Sequence, residues 1–433
     1  MGRVLLNYIT AARLKGQNHS LISLDYANDA AKGIAKKECI PLLEKMYWKE
    51  KEHFALLKKA DMVVVHWWNH PLLYAWIGAE RLPKARVLVW SHVSGFYSPQ
   101  IITDSLVNWP DIFAVANPIS FNVPAITALT TKSKAERLRL IFSSGGLSHV
   151  QDYSVREHSK FRVGYLGTVD YAKMHPDFLD LCLKACQEDT VFPVAGGPSH
   201  ESLRKEAEAR GASDKFEILG PIDNVGEFLA TLDVFGYPLI REHFGTGEQV
   251  LIEAMAVGVP PVVLGKGSEE YVVEDEVTGL VADDLEDYSR CIDRLKYDTE
   301  LRRSLSKTAA ENAKKRFSIE STISSFDSIY SELMELPKTT KNFAKNGKDL
   351  SPDRIFLLSQ GTLATEIYQS LEEGNHGNFL SNANVEALPA CCWSQTRGSV
   401  YHYSFFFPEN KRLARWAEIM TAVDPREKRI RDN

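Results

Sequence analysis

The order of apolar runs along this chain predicts an α/β protein: two doubly wound domains with parallel sheets, then a C-terminal extension. Short strand-like runs alternate with helical segments from residue 19 onward, and the alternation runs through two consecutive series. A polar, unpatterned stretch at residues 151–160 (QDYSVREHSK) separates the two series. The length of 433 residues exceeds one ordinary core, which fits two domains and an appendage. The expected divisions are 1–155, 156–336 and 337–433.

Residues 2–15 read as a helix, because Val4, Leu5, Tyr8, Ile9 and Ala12 recur at helical spacing before Lys15-Gly16 stops the pattern. The first strand series follows at 19–24, 62–66, 87–91, 112–116 and 138–142. The second lies at 162–166, 192–195, 217–219, 234–237 and 261–264. Helices are expected at 176–188, 199–210 and 248–257, and a helical run over 284–335. Residues 36–59 read as a basic, aromatic helix of the first domain. Residues 337–349 (PKTTKNFAKNGKD) read as a linker. The extension beyond it holds an aromatic segment at 393–407, with a turn at Arg397-Gly398-Ser399, and a helix around 411–421.

Bulk properties exclude several classes. A hydrophobic content of 44% and a charged content of 25% are those of a water-soluble globular protein. The net charge of −6 argues against a general nucleic-acid binder. No apolar run approaches the roughly 18 residues needed to span a bilayer, and the start lacks the apolar core of a secretory signal. The six cysteines show no paired zinc-ligand spacing. Cys182 and Cys186 share one helix face as core thiols, which fits a reducing cytoplasm.

The most informative segment is 241–263, REHFGTGEQVLIEAMAVGVPPVV. It reads as a glycine-marked loop, a short helix and a buried strand. Gly245 and Gly247 flank Thr246, so the backbone there can approach a ligand closely. A helix starting near Glu248 points its positive end at that loop, which suits a phosphate. Glu253, further along the helix, is placed to accept hydrogen bonds from ribose hydroxyls. Gly258 and Pro260-Pro261 end the helix and launch the strand. The unit is suited to holding a nucleotide diphosphate without a metal.

Residues 161–177 (FRVGYLGTVDYAKMHPD), Glu242-His243-Phe244-Gly245, Glu253-Ala254-Met255-Ala256-Val257-Gly258-Val259-Pro260 and Thr278-Gly279-Leu280-Val281 resemble, in order and spacing, the motifs of retaining glycosyltransferases of family 4. The resemblance covers about residues 3 to 335 and is densest in the second domain. It implies the GT-B fold, two Rossmann-like domains facing a cleft. It also implies transfer of a sugar from a UDP- or GDP-linked donor to a glycan or lipid-linked acceptor, with retention and with no cofactor or metal. Through the same resemblance, Lys173, six residues after Gly167, matches the phosphate-binding lysine. Glu253 matches the ribose-binding glutamate and Glu242 the one that contacts the donor sugar. His92, following the strand 87–91, resembles the first-domain histidine that faces the reacting sugar. His66, Trp67 and His70 are expected on the acceptor side, where Trp67 and Trp68 serve as packing or as a stacking platform.

The chain departs from that pattern in three places. Thr168 stands where the family has an arginine, so Arg241 is the expected substitute for that cation. Ten residues separate Glu242 from Glu253 where the family has seven. Either the loop is lengthened, or Glu248 takes part of the first glutamate's role, facing the sugar or capping the helix. Finally, the opening helix leaves no room for the family's first strand and glycine-rich loop, which the chain as given is expected to lack. The alternatives are a nucleotide-sugar-binding pseudoenzyme and a GT-B epimerase. The lysines of 36–59 suggest peripheral contact with an anionic membrane surface.

Overall fold

The computed structural model describes residues 2–79, 81–171, 173–185, 189–243, 245, 247–343, 350–372 and 397–423. The chain forms two compact units. Unit 1 comprises Met1–Ala12, Asn117–Ile119 and Phe142–Ser325; unit 2 comprises Arg13–Ala116, Ser120–Ile141 and Phe326–Asn433.

Unit 1 is built on a parallel six-stranded sheet. Its strands are β7 (Phe161–Val169), β8 (Thr190–Pro198), β9 (Phe216–Gly220), β10 (Val234–Tyr237), β11 (Pro261–Leu264) and β12 (Leu280–Ala282), in the order β12-β11-β10-β7-β8-β9. From β7 the chain winds outward to β9, then returns to β10 and winds the other way. The reversal lies between β7 and β10, and a crevice for a ligand opens at the carboxyl ends of strands on either side of such a point. The strands are near-continuous apolar runs because both sheet faces are covered. Tyr165, Phe192, Phe235 and Met255 lie in their shared core. Gly196 is required where β8 meets β7, since a Cβ there would come within 1.9 Å of the Gly167 carbonyl oxygen.

The helix expected at the start is present as Gly2–Arg13. It joins unit 1 through Asn7, whose Nδ2 donates to the Gly145 carbonyl oxygen at 2.9 Å. Val4, Tyr8, Ile9 and Ala12 are its buried side. The helices Leu285–Tyr297 and Thr299–Arg316 cover unit 1, and Ile319–Met334 completes the helical run read from the sequence.

Unit 2 has a parallel sheet of β3 (Val63–Trp67), β4 (Val87–Ser91), β5 (Ile112–Val115) and β6 (Leu138–Leu140), in sequential order. A separate pair, β1 (Leu21–Ile22) with β2 (Leu42–Leu43), stands apart from it. Two expectations are corrected here. The run at 19–24 is not a strand of the main sheet; its two paired residues find only β2. Residues 36–59 are not one helix. The helix Asp29–Lys37 ends, β2 intervenes and a second helix runs over Glu50–Lys59. Cys39 and Lys45 take left-handed backbone conformations (φ 50° and 57°), which a continuous helix cannot contain.

The extension is part of unit 2's core. Ile355, Phe356, Ile367, Val400, Tyr403 and Trp416 pack in one apolar cluster with Leu72, Trp76 and Phe113. The first half of the expected linker is also fixed. Thr339 bridges Ala85, and the Lys341 ammonium pairs with Asp111 at 2.5 Å. Its remainder, with Cys186 and the segment 373–396, lies outside the described residues. No helix among the described residues is long and apolar enough to cross a membrane.

Candidate functional site

In unit 1 the loops after β7 and β10 meet at the winding reversal. The first is strapped to the second: the Ile240 N–H donates to the Lys173 carbonyl at 2.9 Å, and Met174 bridges Leu239. This presents the Lys173 side chain to Glu248, the residue that caps the helix Gln249–Val257. The Lys173 Nζ lies 3.0 Å from Glu248 Oε2, and the Tyr237 hydroxyl donates to the same oxygen at 2.8 Å. The other oxygen, Oε1, is buried and has no hydrogen-bond partner among the described residues. It lies beside Gly245, where a Cβ would come within 2.5 Å of it. Glu248 itself has φ 22° and ψ 50°, a left-handed conformation that a non-glycine residue adopts at a cost and that recurs at ligand sites.

Burial works against the ionised form of Glu248. The Lys173 and His243 charges and the bonds from Lys173 and Tyr237 outweigh it, holding the carboxyl below the usual range. His243 is buried in the same loop. Its Nδ1 accepts from the Gly245 N–H at 3.1 Å, and its Nε2 faces Glu269 Oε1 at 2.9 Å. Burial lowers its pKa, but Glu269 reverses the direction, so the imidazole titrates above its ordinary value. Ser268 Oγ donates to Glu269 at 3.2 Å, and the Ser268 carbonyl is held in turn by Asn117 at 3.0 Å. His243, Glu248 and Glu269 bring one ligand atom each within 4.8 Å of one another, the one grouping of metal-ligating type among the described residues. Lys173 and Tyr237 engage Glu248 Oε2, and His243 and Glu269 engage each other, which leaves Glu248 Oε1 without a partner among the described residues.

Glu253 lies further along the same helix and is fully buried. His149 Nε2 meets its Oε1 at 2.7 Å. The helix ends at Gly258, left-handed at φ 89°, as the glycine and prolines of the sequence indicate.

The loop geometry brings Lys173, Gly245, Glu248 and Glu253 to the start and first turns of one helix. Gly167, near the end of β7, and Gly247, beside Ser143, border it. Thr168, Arg241 and Glu242 are exposed. Glu242 acts electrostatically on His175. Thr246 and Phe244 lie outside the described residues. Sequence reasoning missed His149, Tyr237 and the His243–Glu269 pair. His243 stood inside a quoted motif, but only the fold brings Glu269 to it.

Unit 2 carries the remaining candidates. His66 ends β3 and His92 follows β4; their rings stack with centroids 5.3 Å apart, and His66 Nδ1 lies 3.0 Å from His92 Nε2. Burial pushes His66 down to about 4 and His92 well below the ordinary range, so both are neutral at physiological pH. One nitrogen of that contact must donate and the other accept. Trp67 is fully buried and part of the core, whereas Trp68 is partly exposed. His70 caps the helix Pro71–Gly78, its Nδ1 accepting from the Leu72 N–H at 3.2 Å.

The sequence profile of the family described as "Glycosyl transferases group 1" matches residues 152–316. Among curated proteins, the N-acetyl-alpha-D-glucosaminyl L-malate synthase of Bacillus anthracis is 31% identical over 202 residues, 44% of this chain and 50% of that protein. The lipopolysaccharide core biosynthesis mannosyltransferase LpsB of Rhizobium meliloti is 32% identical over 184 residues, 40% of this chain and 52% of that protein. The matches thus span about half the length of these relatives. Among solved structures, Anabaena HepE, crystallised with UDP and glucose, aligns with a TM-score of 0.62 at 16% identity, over 76% of this chain and 95% of its own. Sucrose-phosphate synthase of Thermosynechococcus elongatus aligns at 0.59 and 18% identity, over 76% and 92%. These likenesses establish the two-unit α/β fold expected from the sequence.

Proposed function

We propose that this chain, whose residues 152–316 match the group 1 glycosyl transferases, moves a sugar from a nucleotide-diphosphate donor to a hydroxyl acceptor with retention at the anomeric carbon. The observation that carries the reading is the Lys173–Glu248–Tyr237 cluster at the N-terminus of the helix Gln249–Val257, with Glu253 further along it.

Breaking the anomeric C–O bond leaves a nucleoside diphosphate with added negative charge and a sugar with oxocarbenium character. A half-buried ammonium and a helix N-terminus stabilise the first without reorganisation at the moment of reaction. Lys173 holds the leaving phosphates, and the donor exchanges for part of its contact with Glu248. Glu248, rather than the exposed Glu242, then faces the donor sugar, because its orphan Oε1 is a buried acceptor waiting for a hydroxyl. Glu253 binds the ribose, with His149 fixing its carboxylate. His92, neutral and tied to His66, offers one hydrogen bond as charge develops on the sugar. No metal or cofactor enters this scheme. The acceptor is a glycan or lipid-linked acceptor, and the UDP bound in the HepE crystal, with the mannosyltransferase among the relatives, supports a sugar-nucleotide donor.

Calorimetric titration of the full chain with UDP, GDP and ADP tests the donor site. One nucleotide is expected to bind and to lose its affinity in Glu253→Ala. Equal binding by the variant, or no binding by the folded wild type, sinks the assignment. Donor hydrolysis in the same preparation separates an active transferase from a protein that only binds the nucleotide.

A further inference from the structure

The extension does more than complete unit 2's core. Its segment 397–406 is seated on the loop that follows β3, the loop bearing Trp68 and His70. That loop adjoins His92, whose N–H donates to the Trp67 carbonyl oxygen at 2.9 Å. The seat is tightly specified. Gln100 Nε2 donates to the Arg397 carbonyl at 2.9 Å, while Gln100 Oε1 accepts from the Asn69 N–H at 2.7 Å. The Tyr403 hydroxyl donates to Asn69 Oδ1 at 2.8 Å. Gly398 approaches so closely that a Cβ would stand 2.9 Å from Asn69 Nδ2. Asn69, Gln100 and Tyr403 are all buried, so the Arg397 backbone is fixed from beneath.

We propose that this junction is an acceptor-side subsite for an anionic group: Arg397, laid over Trp68 and flanked by His70 and His402, receives a carboxylate or phosphate carried by the acceptor. The Arg397 guanidinium carbon lies 5.4 Å from the Trp68 ring centroid, a cation–π contact that holds the planar fork in place. Two exposed arginines, Arg156 and Arg412, are held by carboxylates, Glu227 and Asp353. Arg397 has no such ion pair among the described residues, although its side chain is exposed.

The two histidines fit the same ligand. Their rings meet edge-on at 5.1 Å. His70 Nδ1 accepts from the Leu72 N–H, and His402 Nδ1 accepts from the Gly398 N–H at 3.0 Å. Each neutral imidazole therefore carries its proton on Nε2. Burial, with Arg397 nearby, keeps them neutral, His70 down to about 3 and His402 to about 4. One permanent cation, two N–H donors and an aromatic face recognise an anion on a ring-bearing molecule.

The inference rests on the transferase reading only for the word acceptor; the anion site stands or falls separately. The test is calorimetry of the full chain with D-glucuronate and glycerol 3-phosphate, beside glucose and glycerol as neutral counterparts. One or both anions are expected to bind, with affinity falling as salt rises, and the tighter one distinguishes a carboxylate from a phosphate source. Arg397→Gln is expected to weaken that binding about tenfold or more, with Arg397→Lys intermediate. Lys173→Ala should leave it unchanged, which separates this site from the donor loop. Circular dichroism and thermal melting establish that Arg397→Gln is folded. Unchanged anion binding in that variant, equal binding of the neutral compounds, or loss only in Lys173→Ala would overturn the proposal. UDP titrated in parallel divides the two claims. A chain that binds the anion through Arg397 but no nucleotide keeps the subsite and loses the transferase reading, and the converse keeps only the transferase.

Discussion

In unit 1 the buried carboxylates of Glu248, Glu253 and Glu269 each meet a lysine or a histidine, while in unit 2 the histidines at 66, 70, 92 and 402 pack ring against ring, His66 stacked on His92 and His70 edge-on to His402. The first arrangement keeps charge inside the protein by pairing it. The second keeps histidine inside by leaving it neutral. The contrast follows the chemistry proposed for each unit. A diphosphate needs a charge already in place, and a developing oxocarbenium ion beside a cationic imidazole would be repelled.

Breaking the pairing in unit 1 should have the largest effect. Lys173→Met leaves the Glu248 carboxylate with Tyr237 and His243 but no lysine, at a cost of about 3 kcal/mol in the unfolding free energy read by urea titration. Sugar transfer should fall about a thousandfold, since the cation at the leaving group is lost. Adding Glu248→Gln should recover most of the stability and none of the transfer. Stability unchanged by Lys173→Met would mean that the ion pair is not buried in solution.

The neutral pair in unit 2 is the next place to press. His92→Ala is expected to lower the transfer rate about a hundredfold with little change in donor affinity. His66→Phe keeps the stacking but removes the hydrogen bond to His92 Nε2, so a smaller loss, accompanied by a shifted pH profile, is the expected result. A His66→Phe profile superimposable on wild type would show that the pair is packing alone.

Acidity distinguishes the units more gently. The unit 2 histidines have folded pKa values below the ordinary 6.5, with His66 and His402 at about 4. Their contribution to stability is therefore present above pH 6.5 and drains away as the pH falls toward 4. His243 has a raised value, so its contribution is complete below its ordinary pKa and is lost as the pH rises through the folded one. Urea midpoints measured against pH should fall on the acid side, less steeply in the double substitution His70→Leu, His402→Phe. An unaltered acid slope would contradict the neutral burial of this pair.

The smallest effect probes the seat of the extension. Tyr403→Phe removes one buried hydrogen bond to Asn69 and should cost about 1 kcal/mol. A change within error would place that hydroxyl in contact with water instead.

The fold was legible where local chemistry decides it. Gly258 and Pro260 announce the end of one helix and the start of β11 within a residue. The strands of the second series were found because buried parallel strands are apolar on both faces. The segment 36–59 was misread for the same kind of reason. Its apolar residues fall at helical spacing, but the backbone turns at Cys39 and Lys45, and neither residue type signals a left-handed conformation. Of the candidate site, Lys173 and Glu253 could be named because a motif holds them at fixed offsets, and Glu248 because the spacing from Glu242 to Glu253 departs from that motif. His149 and Glu269 could not, since they reach their partners from 104 residues and 26 residues away only once the sheet has formed. The turn at Arg397 was visible, but its packing on Trp68 was not.

The chain order of the two units also bears on how the molecule is assembled. Trp416 and Met420 lie in the same core as Leu57 and Val65. On the ribosome that core stays open until residues 411–423 have emerged, because they supply Leu413, Trp416 and Met420. Unit 1 draws on Met1–Ala12 and on residues up to Ser325, so its material is complete earlier. Loops closing over hundreds of residues form slowly. Unit 2 therefore spends the longer time with Trp67, Trp76 and Phe113 uncovered, and chaperone dependence should track the presence of the helix Lys411–Val423.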